Sequence, residues 1–324
     1  MMTVTRYVPL IAAFTALQAG AATIVSETVQ RPEGPRHYLL AQPAMPVAAA
    51  SNKLPLVILL HGHAASANLT FGKGRIDDPA AAWLAVADRE GVLVIAPDGS
   101  KGSDDKQGWN DCRADAPTNP KTDDVGFIAA LIDQAVAQHN ADPSRVYLSG
   151  ASNGGGMVYR AAIELGPRLA AVAVSSMLMP SKNLCPAPKR AVPILVAHGT
   201  EDKIAPYAGG EVGHFLLTGR GSGLSAEESV KYWRELAQLP PTPTVTNVPH
   251  RDAADKTSLV RYVWGGDPKQ TQVEFLKMEN AGHVQPSIAH SLSWLVLAIL
   301  GKQNGDLEYA DETWAFFKDK RVAP

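Results

Sequence analysis

The stretch that decides the fold is Val146-Tyr147-Leu148-Ser149-Gly150-Ala151-Ser152-Asn153-Gly154-Gly155-Gly156-Met157. A short apolar run ends in Gly-x-Ser-x-Gly and continues into a segment that can be helical, which is the pattern of a nucleophile elbow. Gly150 and Gly154 would let the strand and the helix pack closely around a strained turn at Ser152. A glycine-rich loop that cradles phosphate is the alternative interpretation. The stretch therefore makes Ser152 a candidate nucleophile.

Buried strands and helical segments alternate on both sides of this stretch. Continuous apolar runs predict strands at 54–60, 92–96, 146–148, 170–174, 193–197, 259–264 and 273–278. Helical spacing and capping residues predict helices at 79–90, 122–140, 225–238, 287–300 and 311–320. Such alternation predicts an α/β fold, with a mostly parallel central sheet and helices on both faces. No linker divides the chain after its N-terminus, so we expect residues 22–324 to form one domain.

Residues of three complementary types follow three of the predicted strands. Ser152 follows the third strand, Asp202 lies in a turn past the fifth, and His283 comes after the last. The carboxyl ends of parallel strands meet at one edge of a sheet, and nucleophile, acid, histidine is the chain order of α/β-hydrolases. An imidazole can take the serine proton when a carboxylate holds its tautomer and stabilises its charged form. The sequence therefore predicts an α/β-hydrolase fold with a Ser152–His283–Asp202 triad.

Acyl transfer also needs donors for the developing oxyanion. The backbone N–H of Asn153, directly after the nucleophile, is one candidate. The second donor should come from the loop after the first buried strand, where Gly62 would allow a sharp turn. We expect the N–H of His63 to be that donor, with Ala64 as the next choice.

Several residues compete with these assignments. Asp98 follows the second strand and is a rival acid, although its place in the chain order favours Asp202. His61 and His198 are expected to brace the backbone of their turns, and His290 falls inside a predicted helix. His61-x-His63 could suggest a metal, but no third ligand stands at a suitable spacing, so no metal or cofactor is expected. Trp109 is either a core side chain or an aromatic, substrate-binding wall beside the serine.

The composition is that of a globular protein with a substantial core. The 324 residues are 45% hydrophobic and 19% charged, with a formal net charge of -2. We therefore expect neither nucleic acid nor an anionic membrane as a partner. Residues 1–21 have the layout of a secretory signal peptide ending in an A-x-A site, with a first core helix or strand as the alternative. We expect a secreted, soluble protein without a membrane anchor, in the periplasm or outside the cell.

Cys112 and Cys185 are the only cysteines, and both lie in polar, loop-like stretches. Two lone cysteines often pair in an oxidising compartment, and free buried thiols are the alternative.

With these motifs in place, the chain resembles the secreted esterases of the polyhydroxybutyrate depolymerase and feruloyl esterase group, the carbohydrate esterase family 1 type. The matching stretches occur in the expected order: Leu60-His61-Gly62, Gly108-Trp109-Asn110 with Cys112, Asp123-Asp124-Val125-Gly126-Phe127, the elbow, Cys185 ahead of Pro193, His198-Gly199-Thr200-Glu201-Asp202, Pro206-Tyr207, Gly282-His283 and Trp314-Ala315-Phe316-Phe317. The resemblance implies that Ser152, Asp202 and His283 form the triad. It also implies that Cys112 and Cys185 form a disulfide near the site.

The same resemblance implies a serine carboxylesterase that works through an acyl-enzyme on a small-molecule or polymeric ester. Hydroxybutyrate polyester or its oligomers are the first substrate class, and feruloyl or acetyl esters of plant cell-wall polysaccharide are the alternative. A non-catalytic binding protein on the same fold is a third reading, although such proteins typically lack the nucleophile or the base. The chain departs from the family pattern at Gln285, where members often carry a tryptophan, and at His63, where they often carry cysteine or glycine.

Overall fold

The computed structural model describes residues 21–44, 53–213 and 218–322. The strands are β1 (Thr23–Arg31), β2 (Gly34–Gln42), β3 (Leu54–Leu60), β4 (Leu93–Pro97), β5 (Ser100–Lys101), β6 (Gln107–Gly108), β7 (Ala141–Ala151), β8 (Ala171–Ser175), β9 (Ile194–Gly199), β10 (Gly210–Glu211), β11 (Ser222–Gly223), β12 (Thr244–Asn247), β13 (Ser258–Trp264) and β14 (Val273–Glu279). The α-helices are α1 (Ala67–Thr70), α2 (Trp83–Glu90), α3 (Asp124–Gln138), α4 (Asn153–Glu164), α5 (Ala226–Leu236), α6 (Trp294–Leu300) and α7 (Tyr309–Phe317).

Ten of these strands form one sheet in the order β1-β2-β4-β3-β7-β8-β9-β14-β13-β12. The six central strands in this order, β4-β3-β7-β8-β9-β14, are parallel to one another. Antiparallel strands flank them on both sides. Apolar residues of α3, α4 and α5 pack in one buried cluster, and those of α1, α2 and α7 pack in another. The predicted mostly parallel sheet with helices on both faces is confirmed.

Strand β3 shows why the central strands are continuous apolar runs. Successive side chains of a strand point to opposite faces of the sheet. Accordingly, Leu56 and Ile58 belong to the cluster under α3 and α4, whereas Val57 and Leu59 belong to the cluster under α2 and α7. Because helices cover both faces, neither set can be polar without burying an unpaired group.

The helix predicted at 287–300 is present only in its second half. Only Trp294–Leu300 is helical, and the preceding segment winds around the carboxylate of Glu308. The Ser287 hydroxyl and the Ile288 N–H both donate to Glu308 Oε2, at 2.9 and 3.0 Å. His290 lies in this segment, outside any helix, and its Nδ1 is 2.6 Å from Asp77 Oδ1. Side-chain acceptors therefore replace the helical hydrogen bonds that the periodicity predicted.

The N-terminal prediction falls almost wholly outside the described part of the chain. Residues 1–20 of the expected signal peptide, which would end at residue 21, lie outside the described residues. In the described part of the chain, no helix combines the length and the apolar character that crossing a bilayer requires.

A disulfide joins Cys112 to Cys185, as the family resemblance implied. It ties the loop after β6 to the loop between β8 and β9, where the Leu184 N–H also donates to Cys112 O at 2.8 Å. Both of these loops contribute residues, Arg113 and Met177, to the cavity described below. The bridge therefore fixes two walls of the candidate site against each other.

Replacing both cysteines with serine is expected to lower the free energy of unfolding. The bridge closes a separation of 73 residues, and chain-entropy estimates for such a loop give about 4 kcal/mol. Chemical denaturation of the double variant and of the oxidised parent protein would measure the difference. A double variant that unfolds at the parent's denaturant concentration would contradict a stabilising role for the bridge.

Candidate active site

Ser152 lies at the turn between β7 and α4 in a strained backbone conformation. Its φ is 54° and its ψ is -127°, outside the regions that L-residues usually adopt. Position 154, in the first turn of α4, can hold only glycine, because a Cβ there would lie 2.1 Å from Leu60 O. The helix thus packs directly against the end of β3. The elbow predicted from the sequence is present, with Ser152 held at its apex.

Asp202 and His283 meet because β9 and β14 are parallel neighbours in the sheet. The loops that follow these strands stay together, as the Glu201 N–H donates to Ala281 O at 2.9 Å. Gly199 permits this approach, because a Cβ on it would lie 2.3 Å from the same carbonyl oxygen. His283 Nδ1 comes to 2.8 Å from Asp202 Oδ2.

The Asp202 carboxylate is fully buried and held on both oxygens. Its Oδ1 accepts hydrogen bonds from the N–H groups of Ile204 and Ala205, at 2.9 and 2.8 Å. Burial by itself would raise the pKa of Asp202, but the adjacent His283 ring and the backbone donor outweigh it and keep that pKa below its usual value. Asp202 therefore remains a carboxylate, suited to orient and stabilise a histidine.

Ser152 and His283 line one cavity of about 230 Å³. Within the described residues, no hydrogen bond joins Ser152 Oγ to His283. Catalytic hydrogen bonds of this kind frequently form only in the substrate complex, so the absence of this bond does not argue against a base and its nucleophile. The cavity therefore brings Ser152 and His283 together, and the hydrogen bond from His283 links them to Asp202.

The two expected oxyanion donors also border this cavity. In the described part of the chain, neither the His63 N–H nor the Asn153 N–H donates to a protein acceptor. The second choice, Ala64, is engaged elsewhere, because its N–H donates to Gln107 O at 2.8 Å. The left-handed residue of this loop is Ala64, with a φ of 63°, and not Gly62. The geometry is compatible with His63 and Asn153 as the donor pair.

Trp109 does not line the cavity, and the expectation that it binds substrate is wrong. Its side chain is fully buried and packs beside His61, with ring centroids 5.1 Å apart. The indole Nε1–H donates to His61 O at 2.8 Å, and its backbone N–H donates to Asn153 Oδ1 at 2.7 Å. Trp109 therefore positions the loop after β3 and the first residue of α4, the two segments that carry the candidate oxyanion donors.

Trp109→Phe is expected to reduce stability by about 1–3 kcal/mol, because His61 O would lose its donor inside the protein. Urea unfolding measures the change. A variant with unchanged stability but a raised KM for small esters would contradict the buried position and would indicate that Trp109 lines the cleft.

The rival residues are engaged elsewhere. Asp98 Oδ2 lies 2.7 Å from His37 Nδ1, and its Oδ1 accepts from the Ala67 N–H at 2.8 Å. His61 Nε2 accepts from the Gly99 N–H at 2.9 Å, and His198 Nε2 lies 2.8 Å from Ala205 O. Both histidines thus brace backbone, as expected. No group of three or more His, Cys, Asp or Glu side chains that could hold a metal occurs among the described residues.

Sequence analysis missed two buried arginines in the cavity wall, Arg113 and Arg220. Arg113 directly follows Cys112, so its position in the disulfide loop was a signal that could have been used. Arg220 stands between two glycines in a stretch without apolar periodicity, and nothing local marks it. The lining of the cavity also includes the apolar residues Met177, Ile204 and Leu300.

Comparisons with known proteins show similarity to esterases. Residues 38–184 match the family described as Esterase PHB depolymerase. A bifunctional acetylxylan esterase/xylanase of Neocallimastix patriciarum is 30% identical over 240 residues, which are 72% of this chain and 29% of that protein. A poly(3-hydroxybutyrate) depolymerase of Ralstonia pickettii is 31% identical over 121 residues, 36% of this chain and 23% of that protein. The chain spans less than a third of the length of either relative.

Among solved structures, an acetyl xylan esterase from Aspergillus awamori superposes with a TM-score of 0.57 at 13% identity. The match covers 91% of this chain and 99% of that one, so the likeness extends over the whole fold. The predicted fold class is thereby confirmed. Residues 38–184 of the chain are similar to the Esterase PHB depolymerase family, and the chain has the α/β-hydrolase fold.

Proposed function

We propose that this protein is a serine carboxylesterase with Ser152 as nucleophile, His283 as general base and acid, and Asp202 as the residue that orients the histidine. One observation carries the proposal. The strained Ser152 and the Asp202-bound His283 border the same cavity, beside two backbone N–H groups that have no protein acceptor among the described residues.

The geometry supports a two-step reaction. His283 Nδ1 faces Asp202, so its Nε2 is the nitrogen that would take the Ser152 proton as the hydroxyl oxygen attacks the ester carbonyl. The N–H groups of His63 and Asn153 would hold the oxyanion of the tetrahedral intermediate. His283 then protonates the departing alcohol and leaves an acyl group on Ser152. Water activated by the same histidine releases the acid and restores the hydroxyl.

For the substrate, we propose hydroxyalkanoate polyester or its oligomers, with feruloyl or acetyl esters of plant cell-wall polysaccharide as the second candidate. The family match and the Ralstonia relative support the first class. The Neocallimastix relative and the Aspergillus structure bear names that support the second. The disulfide and the signal-peptide layout of residues 1–21 support a secreted enzyme, with residues 22–324 as its catalytic domain.

A rate panel tests the proposal with hydroxybutyrate oligomers, methyl ferulate, acetylated xylan and short p-nitrophenyl esters. We expect cleavage of the short esters together with a clear preference for one of the natural classes. Labelling by a serine-directed phosphonate should accompany this activity. Protein that hydrolyses no ester and takes up no phosphonate would instead support a non-catalytic binding protein.

A further inference from the structure

The two arginines of the cavity wall are neutralised to different extents. Arg113 donates from Nε to both oxygens of Asp111, at 3.1 and 3.0 Å, so its charge has a bidentate partner. Arg220 donates from Nη1 to the neutral Thr118 hydroxyl at 2.8 Å. Its one ion pair in the described part of the chain is with Asp104, at 3.7 Å. Arg113 is thus matched to a carboxylate, whereas Arg220 has none within hydrogen-bonding distance.

The surroundings of Arg220 leave its charge weakly compensated. Its side chain is only 6% exposed, whereas that of Asp104 is 28% exposed and therefore partly screened by water. Asp104 is shared with His63, whose Nε2 lies 3.0 Å from it. Burial, and then the charge of Arg113, lower the pKa of Arg220 to about 10, so the group remains charged at neutral pH. A buried cation of this kind is stabilised by an anion that completes its hydrogen bonds.

Arg113 itself helps to hold Arg220 in place, since its Nη1 donates to Arg220 O. Arg220 therefore lines the cavity from a backbone position that Arg113 helps to hold, and apolar residues that include Met177 and Leu300 line the same cavity. A planar guanidinium matches the two oxygens of a carboxylate better than any neutral group. The cavity combines an apolar surface, a nucleophile and one under-compensated cation.

We propose that the cavity takes short esters that bear a free carboxylate, and that Arg220 binds this carboxylate. The inference rests on the proposed esterase function and narrows its substrate class to acidic esters. It predicts a preference for the charged member of any matched pair of esters. Both the acyl part and the alcohol part of an ester can carry such a group, and the experiment distinguishes them.

The experiment uses two pairs of substrates. For the acyl side, 4-nitrophenyl hemiglutarate is compared with its amide, 4-nitrophenyl glutaramate. For the alcohol side, 3-acetoxybutyrate is compared with 3-acetoxybutyramide by acetate release. The readout is the ratio of kcat/KM for the charged substrate to that for the neutral one. We expect this ratio to exceed one in the pair that places its carboxylate at Arg220, and Arg220→Gln to lower it by about 10- to 100-fold.

Two further variants sharpen the result. Asp104→Asn should raise the ratio, because it removes the negative charge that partly compensates Arg220. Arg89→Gln, which removes an exposed arginine paired with Asp311 on the surface, should leave the ratio at the parent value. A parent ratio of one or less in both pairs would overturn the inference. So would an Arg220→Gln protein whose ratio equals that of Arg89→Gln.

A binding measurement separates this inference from the esterase proposal. Calorimetry of 4-nitrophenyl hemiglutarate and of 3-acetoxybutyrate with Ser152→Ala, and with Ser152→Ala combined with Arg220→Gln, does not depend on ester cleavage. Weaker binding by the double variant supports the carboxylate site even if the parent protein hydrolyses nothing. If the two proteins have equal affinity for each of the two ligands, the site is overturned even if the parent protein proves to be an active esterase.

Discussion

Ser152→Ala is expected to lower kcat for ester hydrolysis by at least about 10⁴-fold while the protein remains folded. The substitution removes the only atom that can carry the acyl group in the proposed mechanism. The site around it should persist, because the His283–Asp202 hydrogen bond and the packing of Gly154 on β3 do not involve the hydroxyl. Removing the hydroxyl does not change which side chains are buried, so the unfolding midpoint should stay near the parent value.

Initial rates with a short p-nitrophenyl ester and labelling by a fluorophosphonate measure this effect. Ser26→Ala is the matched control, since Ser26 lies on the edge strand β1 and contacts His37 far along the chain from the elbow. Its activity should equal that of the parent protein. If Ser152→Ala retained parental activity, another nucleophile would have to be found and the proposed mechanism would be wrong.

Asp202→Asn is expected to lower kcat by about 10⁴-fold through the tautomer of His283. Asp202 Oδ1 accepts from the N–H groups of Ile204 and Ala205, and an asparagine oxygen would keep this position. The amide NH₂ would then face His283 Nδ1, which could only accept from it. The ring proton would move to Nε2, the nitrogen that has to take the serine proton.

The rate loss should therefore greatly exceed any loss of stability, and thermal unfolding of the variant should show a fold close to the parent. Asp98→Asn is the matched control, because Asp98 was the rival acid and is instead paired with His37. Its kcat should remain near that of the parent protein. A larger rate loss in Asp98→Asn than in Asp202→Asn would reverse the assignment of the acid.

Much of the scaffold could be predicted because its signals are local. The apolar run of β3 is buried on both faces, and the capping residues Asp123 and Ser225 mark the starts of α3 and α5. Elements whose stability comes from distant partners were missed. The hairpin of β1 and β2 mixes polar and apolar residues, since β1 is an edge strand. The first half of the helix predicted at 287–300 is also absent because of a distant partner, since Glu308 accepts the hydrogen bond of a backbone N–H in this segment.

The site divides in a similar way. Chain order was enough to select Ser152, Asp202 and His283, because parallel strands bring their carboxyl ends to one edge of the sheet. Trp109 could not be assigned, since a tryptophan in a loop at the site edge of the sheet is equally compatible with the core and with the lining of the cleft. The structure buries it, with both of its N–H groups satisfied by neighbouring segments.

The sequence by itself determined the parallel central strands, the elbow and the identity of the three residues proposed for catalysis, because each depends on a strand and the few residues that follow it. Only the tertiary structure decided what surrounds them. Arg113 and Arg220 lie 107 residues apart, yet they meet in one cavity wall with unequal partners. Such a contact depends on how loops from different strands pack over the sheet, and no local pattern in either loop encodes the charge that the other will bring.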